Sequence, residues 1–112
     1  VNATMIAAKI TAQQPHFGGT VWTMRDGTQV DVADMTPAHA ANALAMLVRS
    51  TRRMLASLVT LEMFDTPPSD REDVQAEAER RFEELCAITA DDVMAATTLG
   101  AALYARAAEA EG

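Results

Sequence analysis

A mainly α-helical protein, with an N-terminal β-hairpin packed on a three-helix bundle whose first helix is long, is the fold class this sequence predicts. Three observations carry that reading. Of 112 residues, 23 are Ala and five are aromatic, so the core must be filled by Leu, Val and Met and by close helix approach across Ala faces. The run from Pro37 to Phe64 holds no internal Gly or Pro and repeats apolar residues at helical spacing. Asp26-Gly27 separates two short β-prone runs, the strongest short-range hairpin signal.

Residues 1–19 read as a tail or short element of undetermined type, ended by the Pro15 to Gly19 cluster. Residues 20–112 read as one helical domain, since this length is one domain's worth of chain. Its hairpin spans about 21–32, with Val30 and Val32 on one face and Asp31 on the other. A lone hairpin is not stable in water, so it must lie on a helix. Thr36 can cap the first helix, expected over about 37–64, and Pro37 loses only an N–H that would have been unpaired anyway. Its stripe is Leu44, Leu47, Val48, Leu55, Leu58 and Leu61, with Arg49, Arg52, Arg53 and Thr60 opposite.

Asp65-Thr66-Pro67-Pro68 is a helix break, and Ser69 with Glu72 forms a capping box opening a second helix over about 69–87. Val74, Ala78, Phe82, Leu85 and Ile88 are its expected inner residues, and Glu77, Glu79, Arg80, Glu83 and Glu84 a solvated face. Thr89 to Asp92 starts a third helix over about 90–110, with carboxylates where the helix dipole favours them.

Charge is unevenly spread along the chain. Residues 1–60 carry five basic and three acidic residues, and residues 61–112 four basic and thirteen acidic, so +2 and −9 give the net −7. Such a surface repels nucleic-acid backbones and anionic membranes, whose affinity rests on neutralised phosphates. Nucleic acid is therefore disfavoured as a partner. The absence of an 18-residue apolar run, and of a signal pattern in Val1 to Lys9, leads to a cytoplasmic expectation. A single cysteine, Cys86, suits that compartment and is expected to be a semi-buried small hydrophobe.

No catalytic signature is present, and no cofactor or metal is expected, since His16 and His39 lack the paired spacing of a zinc site. Candidate ligand or partner residues are Trp22, His39, Asn42, Arg49, Arg52 and Arg53. His39 and Asn42 can form a polar pocket between hairpin and helix, or can simply satisfy hairpin backbone groups. The arginines, at i, i+3 and i+4, can hold an anion; their default reading is pairing with the acids of the second helix, in the same or a neighbouring subunit. Trp22 is expected to anchor the hairpin against Ala38, Asn42 and Met46, at a cost of about 3 to 5 kcal/mol for Trp22→Ala. Gly100, flanked by Ala96 and Tyr104, is expected at a helix contact, either against the first helix or across a subunit boundary.

The segment Trp22-Thr23-Met24-Arg25-Asp26-Gly27, followed by Met35, His39 and Asn42, resembles small uncharacterised bacteriophage proteins. Those proteins share a turn written W-x-T-x-D-G, which this chain matches at Trp22, Asp26 and Gly27 but not at Met24, where the pattern has Thr, and a helix start M-x-x-x-H-x-x-N, matched at Met35, His39 and Asn42. The likeness covers about residues 21–50 and implies a phage or prophage origin, with Ala richness pointing to an actinobacterial host; it implies no activity. Taken together, the expectation is a small non-enzymatic accessory protein, a homo-oligomer that contacts a host or phage protein. The alternatives are a binder that sequesters an anionic small molecule such as a nucleotide signal, and a small phage enzyme.

Overall fold

Asn2 makes the first correction. Its side-chain carbonyl oxygen accepts from the Met5 N–H at 2.9 Å, and this cap opens helix α1, Ala3–Gln13. Ile6, Ala7 and Ile10, at i, i+1 and i+4, are buried on one side of α1, and Phe17 is buried in the 3-10 turn Pro15–Gly18. Of the two expectations for residues 1–19, a tail or a short element, the second holds, and Ile6, Ala7, Ile10 and Phe17 join the core of the domain expected to begin at residue 20. The computed structural model describes residues 1–65, with side chains as far as 61, and residues 71–109. The expected Thr66-Pro67-Pro68 break, the Ser69 cap and the expected helix end at Ala110 lie outside these residues.

The hairpin pairs β1, Val21–Thr23, antiparallel with β2, Gln29–Asp31, in the register Trp22 opposite Val30. Its loop is Arg25-Asp26-Gly27, closed by Met24 N–H to the Thr28 carbonyl at 2.7 Å and Gly27 N–H to the Met24 carbonyl at 2.9 Å. Within this loop only Gly27 has positive φ, at 90°. This is a three-residue loop ending in a left-handed Gly, not the two-residue primed turn that the Asp-Gly pair first suggests. The backbone N–H of Thr28, 2.9 Å from Asp26 Oδ1, holds that carboxyl below its ordinary value of 3.8, with help from the Thr28 hydroxyl.

Helix α2 spans Pro37–Asp65, about 43 Å at 1.5 Å per residue. Thr36 caps it, its hydroxyl accepting from the His39 N–H at 3.1 Å. Helix α3, Glu72–Cys86, returns along the distal half of α2 and buries little beyond Ala78 and Leu85. Val74 and Cys86, both expected inside, are exposed, as is Leu61. The apolar stripes there face too few neighbours to be covered.

The expected third helix is two helices, α4 (Ala90–Ala95) and α5 (Thr98–Ala108). Thr97 breaks the run by capping α5: its hydroxyl donates to the Met94 carbonyl at 2.7 Å and accepts from the Gly100 N–H at 2.9 Å. The core lies where α1, α4 and α5 meet the first half of α2, around the fully buried Val93, Met94, Leu99 and Leu103. The fold class is therefore mainly α with an N-terminal hairpin. It extends 57 × 30 × 18 Å, with a radius of gyration of 17.0 Å where a compact chain of this length has about 13 Å. The distal end of α2 with α3 forms a projecting arm.

The chain flanking the hairpin docks mainly on α5. Pro15–Gly18 and Val32–Asp34 pack there, and Arg106 Nε donates to the Met35 carbonyl at 2.6 Å. The Trp22 anchor expected on the long helix is corrected accordingly. Ala38, Asn42 and Met46 are exposed, and Trp22 is half-buried against the core edge beside Val30. Partial burial reduces the expected cost of Trp22→Ala to about 1 to 2 kcal/mol, measurable by denaturant titration.

Candidate functional site

Helix α2 presents two faces. One carries Leu44, Val48 and Leu55 into the core, and the other turns Arg49, Arg52 and Arg53 to solvent. Where the two meet, α2 and the α4–α5 pair diverge and leave an open groove. Its first part, 720 Å³, is floored by Leu44, Val48 and Ala107 and rimmed by Asn42, Arg49 and Arg52, with Asp91 across from them. A second part, 410 Å³, continues from Arg52 and Asp91 along Ala56 and Val59 to Leu85 and Ile88. The groove is apolar in its floor and charged at its rim.

The structure brings together only part of the predicted set. Asn42, Arg49 and Arg52 share the groove. His39 is half-buried one turn earlier, Arg53 faces solvent beside the rim, and Trp22 belongs to the hairpin. Neither His39 nor Asn42 makes a side-chain hydrogen bond among the described residues, so neither is spent on hairpin backbone. The intramolecular pairing expected for the arginines is also missing. Among the described residues, the ion pairs are Val1 with Glu84, Arg71 with Asp73, Arg80 with Glu77, and Arg106 with Glu109. None involves Arg49, Arg52 or Arg53, although the end of α3 at Leu85 shares the groove with Arg52.

Asp91, which the sequence marks as a helix-start residue, forms the far rim. Its Oδ1 accepts from the Tyr104 hydroxyl at 2.7 Å, tying α4 to α5. No sequence spacing signals this pairing. Burial above all, then that hydrogen bond and the charges of Asp91 and Asp92, push the Tyr104 phenol up to about 12 from 10.0. Tyr104 is the single tyrosine, so its phenolate absorbance titrates unambiguously and is expected to have its midpoint near 12. A raised folded value means that the bond's contribution is complete below pH 10, and is lost as pH rises to about 12. Tyr104→Phe should remove that segment of the stability profile.

The remaining contact residues are intramolecular or free. Gly100 is buried against the end of α4, not against α2 or a subunit boundary, while Ala96 is exposed. Among the described residues no three of His, Cys, Asp and Glu converge where a metal could be held, and no helix is long and apolar enough to cross a membrane. No protein-family model, curated protein or solved structure matches this chain.

Proposed function

We propose that this is a small non-enzymatic accessory protein, of phage or prophage origin, that acts by protein–protein contact through the arginine face of α2 and works as an oligomer. The observation that supports this reading is the exposed triad Arg49, Arg52 and Arg53, without an ion pair among the described residues, beside an apolar-floored groove. Arg49 lies one helical turn from both Arg52 and Arg53, where like charges repel. An anionic partner relieves that repulsion, and Arg over an apolar floor is the combination enriched at protein interfaces. The origin rests on the likeness of residues 21–50 to phage proteins.

A second reading has its own support. The 720 Å³ groove is of ligand-pocket size, with Asn42, Arg49 and Arg52 placed to hold a phosphate-bearing small molecule. Asp91 on the far rim opposes a bare anion and ranks this reading second. Capture from host lysate with the wild type and with a triple Arg→Glu variant at 49, 52 and 53, run beside a nucleotide thermal-shift screen, separates the two. A defined protein held by the wild type and lost by the variant supports protein contact. A nucleotide shift without a captured protein reverses the order.

A further inference from the structure

Some of the acids that the arginines fail to meet within one chain are also unpaired among the described residues. Glu72, Glu79 and Glu83 recur at i, i+7 and i+11 on one side of α3, are exposed, and take part in no ion pair among the described residues. The stripe is about 16 Å long at 1.5 Å per residue, long enough to span the turns of α2 that carry Arg49, Arg52 and Arg53. Helix α3 is incompletely covered on its own chain, with Val74 exposed and Phe82 half-buried. One face is thus basic with an apolar floor, and the other acidic, in a molecule drawn out to 57 Å.

Resting on the protein-contact reading, we propose that the partner of the arginine face is a second copy of this chain. Helix α3 of one copy lies along the α2 groove of the other, with Glu79 and Glu83 facing Arg49, Arg52 and Arg53, and two-fold symmetry repeats the contact. Charge complementarity selects the second copy: its Glu79 and Glu83 meet the arginines while its own arginines meet the acidic stripe of the first, so both unpaired stripes are satisfied at once, whereas a foreign polyanion leaves the glutamate stripe unmet. Such an interface is isologous and closes at two subunits. Reciprocal pairing also doubles the contact zone toward the roughly 800 Å² per partner that a stable interface requires, about a tenth of this chain's 7413 Å².

The test is a charge swap on the full chain, read by sedimentation equilibrium and native mass spectrometry. The wild type is expected at twice 12.0 kDa, with dissociation promoted by salt. Arg49→Glu/Arg53→Glu alone and Glu79→Arg/Glu83→Arg alone each place like charges together and should weaken the dimer at least about tenfold. Mixed in equal amounts they should form a heterodimer, because each variant's altered stripe then meets its opposite. Far-ultraviolet dichroism verifies folding, and the neutral pair Arg49→Gln/Arg53→Gln and Glu79→Gln/Glu83→Gln replaces any variant that loses helix. A wild type that stays at 12.0 kDa at all concentrations, or folded variants that dimerise as the wild type does, overturns the assignment. So does a mixture that fails to pair. A monomeric wild type that still captures a foreign protein through its arginines overturns only the second-copy partner; arginine variants that lose nothing in either assay overturn the protein-contact reading as well.

Discussion

Gly100→Ala is expected to destabilise the protein by about 3 kcal/mol, although Ala is the better helix former by about 1 kcal/mol. A Cβ built at Gly100 lies 1.9 Å from the Met94 carbonyl oxygen, 2.6 Å from its carbon and 2.7 Å from Thr97 Oγ1. Two of these atoms are backbone, so no side-chain rotation gives relief. The methyl can enter only if α5 moves off the end of α4, and that motion breaks both hydrogen bonds of the buried Thr97 hydroxyl. Overpacking costs roughly 1 to 3 kcal/mol and a lost cap about 1, which together outweigh the propensity gain. For a chain of this size the melting temperature should fall by more than about 10 °C. Gly19→Ala is the control, since its Cβ would meet only the His16 carbonyl, at 3.8 Å. Equal melting of the two variants would show that α5 is not wedged against α4.

The same residues show what the sequence discloses and what it conceals. Glycine at position 100 of an Ala-rich helix announces a close approach. The approaching backbone belongs to Met94, six residues earlier, and this required a helix break that Ala propensity masks. The break is set by Thr97 turning inward to cap α5 while α4 packs on α1 and α2, a tertiary choice that overrides local preference. Hairpin and long helix were legible because their signals are local: Asp26-Gly27, alternation around Val30, and Thr36-Pro37. Helix α1 was legible in part. Asn2 with Ile6 and Ile10 forms a cap and an i, i+4 pair, a weak signal in a stretch of Ala and Thr.

The candidate site divides in the same way. That Arg49, Arg52 and Arg53 share a face follows from the helical period alone. Their neighbours do not follow, since Asp91 and Ala107 reach the groove only through the return of α4 and α5 along α2. Arg106 is a clearer case. No sequence spacing marks it, yet its Nε donates to the Met35 carbonyl 71 residues away.

Leu103→Ala should be as damaging as the glycine substitution, by the opposite mechanism. Leu103 is 0 % exposed and lies on α5, which makes the most extensive contact with α2. Truncation removes the buried methyl groups and leaves a cavity that neighbours such as Met94 and Leu99, themselves fully buried, have little freedom to fill. Buried Leu→Ala changes of this kind cost about 3 to 5 kcal/mol. Leu61→Ala is the informative comparison, because Leu61 sits 54 % exposed on the distal part of α2 and already gives up most of its burial; it should cost less than about 1 kcal/mol. Both are measured by urea titration at one protein concentration, since association would shift the apparent stability. A large loss at Leu103 and a small one at Leu61 places the stability of the fold in the body formed by α1, α4, α5 and the first half of α2. The arm then adds little to stability and leaves Leu61 and Val74 uncovered on the chain itself. Equal losses would mean that the arm is as tightly packed as the body, and would remove the unmet apolar surface from which its role in association is argued.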